Sequence, residues 1–211
     1  MSASSGSWVN RFAWLGSVRQ WHWISSAVCL IGMLLFAITG ITLNHAAQIQ
    51  SVPRITTLEV QLPLHLQQQL VERAPQVADL EPLPAEIYQW LSQEQRLRLP
   101  VASAEWSEDE VYLSLPRPGG DAWMTIDLRS GELLYEKTDR GWISYFNDLH
   151  KGRNTGLVWF WFLDIFALAC VVFCITGLIL LHRHAGHRPT TWPLVGLGLV
   201  LPWALILLFM H

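Results

Sequence analysis

Five of the eight histidines lie at the ends of long apolar segments: His22 and His45 bracket the first, and His150, His182 and His184 flank the second. Both segments close on one pattern, F-x-I-T-G-x-x-L-x-H, written as Phe36-Ala37-Ile38-Thr39-Gly40-Ile41-Thr42-Leu43-Asn44-His45 and again over Phe173 to His182, with six identities in ten positions. If the two segments cross a bilayer in opposite directions, the pattern sets one histidine at each face. Each face then holds an imidazole from both helices, His22 with His182 and His184 on one side and His45 with His150 on the other. Two imidazoles at one depth on facing helices are what bis-histidine ligation of b-type heme requires. Histidines at headgroup depth also serve as plain amphipathic side chains, and His184 and His187 in a basic loop read that way.

The neighbours of these histidines bear on the same chemistry. His22 and Gly40 are 18 residues apart, five helical turns, so they share a face with Ser26, Cys29 and Phe36. Such a stripe of small residues, with Gly177 in the second copy, leaves room for a flat macrocycle or lets two helices approach closely. His22 to His45 would span about 35 Å of helix, a bilayer's thickness, although the two point about 140° apart. His150 to His182 would span about 48 Å if wholly helical. The outer pair therefore needs His150 on a short element folded back toward the membrane, which Gly152 and Gly156 permit. Asp164 is the sole acid inside an apolar segment. A carboxyl there is costly, so it should face the bundle interior, pair, or be protonated, and it would relay protons, orient a ligand imidazole, or bond a neighbouring Thr or Trp. Lys151 and Arg153, with Arg140 nearby, are placed to meet heme propionates, lipid phosphates or an anionic substrate.

The elements that must position these groups are membrane spans. Of 211 residues, 51% are hydrophobic, and the apolar ones concentrate in Trp21 to Leu43, Thr155 to Leu181 and Trp192 to Met210. Each run approaches the roughly 20 residues a helix needs to cross hydrocarbon. The first is too long for a signal-peptide core, and no small-x-small site follows Thr42, so it reads as an uncleaved anchor. Trp8, Phe12, Trp14 and Leu15, set between arginines, suit the membrane boundary.

Charge follows the same division. Residues 46–153 carry 16 of the 17 acids and 10 of the 14 Lys and Arg, net −6, whereas the remainder holds four arginines and Asp164, net +3. Arg11, Arg19, Arg183 and Arg188 assign the N-terminal segment and the 183–190 loop to the cytoplasm and the long loop to the other side. Cys29, Cys170 and Cys174 all lie within spans, where they read as buried thiols, and the long loop has no disulfide framework. No nucleophile elbow, phosphate loop, H-E-x-x-H helix or cysteine-rich metal motif occurs, and nothing points to nucleic acid.

The expected architecture is an α-helical membrane protein of three transmembrane helices, with a small α+β domain inserted between helices 1 and 2. The segments are a cytoplasmic or interfacial stretch at 1–20, helix 1 at 21–45, the domain at 46–147, helix 2 with its entry at 148–184, a cytoplasmic loop at 185–190, and helix 3 at 191–211. Within the domain, 64–73 and 84–96 have helical spacing, while 110–115, 122–127 and 132–137 read as three strands of a meander. Trp142, Tyr145, Phe146 and Leu149 have helical spacing leading to His150.

Trp123-Met124-Thr125-Ile126-Asp127-Leu128-Arg129-Ser130-Gly131-Glu132-Leu133 resembles the strand-turn-strand of a PepSY domain. Asp148-Leu149-His150-Lys151-Gly152-Arg153-Asn154-Thr155-Gly156, followed by Trp159, Asp164 and Thr176-Gly177, resembles the second helix of PepSY-associated transmembrane (PepSY-TM) proteins. Arg19-x-x-His22 and Thr39-Gly40 fit the first helix. The resemblance covers about residues 19–184. It implies a place in the bacterial inner membrane, where the charge partition puts the N-terminus in the cytoplasm and the domain in the periplasm. Better-known members of the wider family are ferric-siderophore reductases that hold b-type heme between histidines at helix ends. This chain differs in having one PepSY-like region and three spans.

Two functions of different class follow. The first is a b-type heme protein, with His22, His45, His150 and His182 as axial ligands of one or two hemes, passing electrons to a ferric chelate or redox partner outside. Because three helices enclose little, a homodimer or partner membrane subunit would complete it. The second is a heme-free anchored binding or regulatory module, or an accessory subunit of a larger complex.

Overall fold

The computed structural model describes residues 16–49, 52–77 and 80–210. The boundary reading of Trp8, Phe12, Trp14 and Leu15 lies outside them. Three helices are long and apolar enough to cross a membrane: α1 (Val18–Asn44), α5 (Gly156–His184) and α6 (Thr191–Phe209). The α+β domain lies between the first two, as expected. The chain divides into two compact units, one of residues 1–35 with 162–211 and the other of residues 36–161.

In the first unit, α1 and α5 meet through small residues. A Cβ on Gly32 would come within 2.7 Å of Phe166 Cζ, so the missing side chain is where that ring lies. Ser25 and Cys29 are buried on α1, and Thr176 is the one buried residue of α5. Cys29 is thus the buried thiol expected, whereas Cys170 is half-buried and Cys174 exposed. α6 buries no residue.

The second unit is built on a six-stranded antiparallel sheet of order β1-β6-β5-β4-β3-β2. Its strands are β1 (Arg54–Gln61), β2 (Leu80–Pro82), β3 (Ser103–Trp106), β4 (Glu110–Ser114), β5 (Gly120–Asp127) and β6 (Glu132–Asp139). The expected meander is β4 to β6, and the sheet adds β1 on one side and β3 and β2 on the other. Strict alternation along β5 buries Ala122, Met124 and Ile126 on one face. Helices α2 (Leu64–Arg73) and α3 (Ala85–Gln93) bury Leu66, Leu70, Ile87 and Leu91 in the same core as Val111, Leu113 and Leu133. Pro63 and Pro84 stand immediately before these two helices, where a missing N–H costs nothing. Helix α4 (Gly141–Lys151) follows β6 directly.

Two carboxylates fix the ends of the β5–β6 ribbon. Asp127 Oδ1 accepts the N–H groups of Ser130 and Arg129, and the Ser130 N–H foremost holds the carboxyl below its ordinary range. Asp139 is lowered first by the Gly141 N–H and then by Arg117. A carboxyl whose pKa is lowered on folding stabilises the fold above the unfolded value, about 4, and loses that contribution as pH falls through the folded value. The melting temperature should therefore drop as the medium is acidified below about pH 4. Asp127→Asn and Asp139→Asn together should flatten that drop in circular-dichroism melts; an unchanged slope would refute the assignment.

Candidate functional site: two threonine-held imidazoles

In each copy of the repeated pattern, Phe, Thr and Gly stand at i, i+3 and i+4, one face of a helix. The structure lays a histidine from another helix on each of these faces. In the first unit, His22 of α1 stacks on Phe173 of α5, with ring centroids 4.8 Å apart and 13° between planes. Its Nδ1 lies 3.0 Å from Thr176 Oγ1. A Cβ on Gly177 would come 3.2 Å from His22 Cε1, so the glycine clears space for the imidazole.

The second unit sets a histidine of α4 on the matching face of α1, with the rings tilted by 47° and not stacked. His150 of α4 lies 4.9 Å from the ring of Phe36 on α1, and its Nδ1 is 2.7 Å from Thr39 Oγ1. A Cβ on Gly40 would come 3.7 Å from His150 Cε1. One turn along, Thr42 donates to Asn147 Oδ1 at 2.7 Å, a second rung between the same helices.

The hydroxyl contacts bear on the tautomer. Thr176 donates its proton to the Val172 carbonyl at 2.7 Å, and Thr39 Oγ1 lies 3.1 Å from the Phe36 carbonyl. At Thr176 the carbonyl is nearer than the imidazole, so Oγ1 offers lone pairs to His22, whose Nδ1 carries the proton and whose Nε2 keeps its lone pair; at Thr39 the imidazole is the nearer partner, and His150 can take either tautomer there. A ring locked at Nδ1 with a basic Nε2 is the state in which histidine binds a metal or accepts a proton.

Local sequence explains how His150 reaches its place. Gly152 takes φ 67° at the C-cap of α4, and Asn154 and Gly156 also lie in the left-handed region at φ 57° and 78°. Three such residues in five turn the chain sharply from α4 into α5. Trp159 Nε1 donates to the Leu149 carbonyl at 2.9 Å across that turn. Lys-Gly-Arg-Asn-Thr-Gly is therefore a helix stop, which leaves His150 on a short helix of its own ahead of α5. Asp148 is buried beside it, accepting the Gly119 N–H at 2.9 Å and pairing with Arg153 at 3.2 Å.

The other expected site residues are placed differently. No hydrogen bond or ring contact joins His22 to His182 or His45 to His150 among the described residues. His182 is exposed and meets Trp192 edge-on at 5.6 Å. His45 is exposed and donates from Nδ1 to the Ile41 carbonyl at 3.0 Å. One geometric reason covers both: the repeat's own histidine follows its threonine by six residues, which turns it about 120° away from the imidazole docked there. His184 donates to the Leu180 carbonyl at 2.7 Å. Gly40 and Gly177 have imidazoles, not open space, over them. Arg153 is held by Asp148, and Lys151 is exposed. Asp164 is exposed, without a hydrogen bond or ion pair among the described residues, so it does not face an interior; three helices leave nearly all of α5 uncovered. No three His, Cys, Asp or Glu among the described residues gather as a metal cluster would need.

Sequence reasoning missed the roles of Thr39, Thr176, Phe36 and Phe173, and of Asn147 and Asp148. The signal for the first four was the repeat itself, whose identities mark the docking face more than the terminal histidine.

An α+β domain set between apolar helices, with histidines docked on a repeated Thr-Gly pattern, defines a membrane-helix protein of PepSY type. The PepSY_TM-like family matches residues 13–211, and the chain belongs to that family. No curated protein and no solved structure matches the chain.

The b-type heme that the family resemblance implies fits these residues in part. The Nδ1-protonated His22 suits an axial ligand, and His150 is held through Nδ1 in the same way, one imidazole per site. The second imidazole of each expected pair is not brought to it within the chain.

Proposed function

We propose that this protein is a multi-pass inner-membrane heme protein that passes electrons to an acceptor outside the cytoplasm, a ferric chelate or a redox partner. The observation that carries the reading is the pair of Phe-Thr-Gly faces, each holding an imidazole through Nδ1 near the end of an apolar helix. Heme would supply one-electron chemistry. The chain's own residues hold the ligating imidazoles: Phe173 stacks on the His22 ring and Phe36 packs against that of His150, Thr176 and Thr39 hold Nδ1, and Gly177 leaves room for the His22 ring. Imidazoles of a second copy of the chain would complete each ligand set. A second membrane chain is supported by Asp164 and α6, since an uncovered carboxylate in lipid is costly. The basic N-terminal and 183–190 segments support a cytoplasmic N-terminus and a periplasmic domain.

One observation favours a second reading. Each of these faces holds its histidine without any cofactor, as a latch between helices, which suits a heme-free anchored PepSY module. The absorbance of full-length protein from heme-replete cells separates the two. A sharp Soret band and a reduced α band, with one or two hemes per chain, are expected; colourless protein would end the heme reading.

A further inference from the structure

We infer that the domain carries a binding site for the headgroup of an anionic phospholipid, in a cleft of about 820 Å³ at the Gly120–Asp139 end of the sheet. Its lining includes Arg54, Arg117, Arg140, Trp142 and Tyr145. Asp139 also lines it, so three guanidiniums face one carboxylate and the lining is net +2. Arg117 gives Nη2 to Asp139 at 2.9 Å. Its Nε is the buried side-chain nitrogen or oxygen left without a partner among the described residues. That Nε is closed to water and so to a phosphate oxygen, and it fixes the plane of the guanidinium while the exposed Nη end, on a side chain 34% exposed, is the part a phosphate oxygen can reach. Arg140 pairs with Asp121, while Arg54 makes no ion pair among the described residues. α4 begins in the same wall, and its first-turn N–H groups have no partners within the helix.

Chain continuity and surface chemistry name the source of the phosphate. Ala46, Ile49 and Val52, which follow the end of α1, line the cleft, and α4, which leads into α5, forms its other side. Trp142 is 76% exposed and Phe146 49%, a pair of aromatic side chains suited to the headgroup level of a bilayer. Net positive charge favours a headgroup with a bare phosphate over one that adds a quaternary amine. The inference rests on the membrane reading of the helices and is independent of heme.

The test is lipid retention by delipidated full-length protein in detergent, read by native mass spectrometry and thermal shift. Phosphatidylglycerol should bind and phosphatidylcholine should bind at least about tenfold more weakly. Arg117→Ala or Arg140→Ala should weaken phosphatidylglycerol about 5-fold each, and the double variant about 30-fold. Arg129→Ala, which breaks the Arg129–Asp109 pair at the opposite end of the ribbon, should change nothing. Arg54→Ala breaks no described ion pair, so it serves if the double variant fails to fold. Equal binding of the two lipids, or indifference to all three arginines, would overturn the site. Displacement of phosphatidylglycerol by inorganic phosphate or glycerol phosphate at matched concentration would overturn the lipid as occupant. Heme content measured on the same samples reports on the heme reading alone.

Discussion

His22→Ala and His150→Ala should each remove one heme per chain from the purified protein, and the double variant should be colourless. Thr176→Val and Thr39→Val keep the side-chain shape and the histidine but free the imidazole to turn. Loss of such a supporting partner typically weakens ligation about 10–100-fold. The threonine variants should therefore retain a Soret band that bleaches on dilution. The latch reading predicts something else: all four substitutions would loosen helix contacts by about 1–2 kcal/mol, and the wild type would show no band for them to alter. Heme per chain across the series, alongside thermal stability, separates a ligand from a latch. Undiminished heme in both histidine variants would sink the assignment while leaving the family membership untouched.

Gly119→Ala should be the most damaging small substitution in the domain, costing about 3 kcal/mol or more. Gly119 has φ +72°, where an L side chain is strained, and a Cβ would come 2.8 Å from Tyr145 Cα and 2.9 Å from Tyr145 N. These are backbone atoms of α4, so the helix itself would have to move. The Gly119 N–H also satisfies the buried Asp148 carboxylate. A displaced α4 would carry Asn147 and His150 off Thr42 and Thr39. A melting temperature lowered by several degrees and faster hydrogen exchange in residues 141–151 are expected; wild-type values for both would show that α4 does not depend on this contact.

The parts of the fold legible in the sequence were those with local periodicity. The three long apolar helices, α2, α3 and the β4–β6 meander each announce themselves within a dozen residues. β1 does not: Arg54-Ile55-Thr56-Thr57-Leu58-Glu59-Val60-Gln61 is largely exposed, with only Leu58 and Val60 set against the core. It exists because its backbone pairs with β6 along its whole length, from Arg54 opposite Asp139 to Gln61 opposite Glu132. Such a pairing joins distant stretches and leaves little trace in either. β3 is four residues long and alternates too briefly to declare itself.

The site was half legible for a related reason. Most of its residues were visible in the repeat and in Leu149-His150-Lys151-Gly152, and His22 stood at the start of the first apolar segment, but the partnership was not legible. Reading the repeat as a histidine holder pairs the terminal histidines with one another. The helical screw instead places Phe, Thr and Gly on one face and the terminal histidine on another, so the repeat receives an imidazole from elsewhere. Which helix supplies it depends on how the chain turns at Gly152 and Gly156, a tertiary fact.

The pairing of Arg54 with Asp139 has a consequence for how this architecture can vary. Because the first and last strands of the insert run side by side, the whole cassette enters and leaves through a doorway about 5 Å wide. A scaffold whose break points are that close tolerates exchange of whatever hangs between them, with little entropic penalty for closing the gap. Related chains could thus carry a larger, smaller or duplicated insert on the same stem.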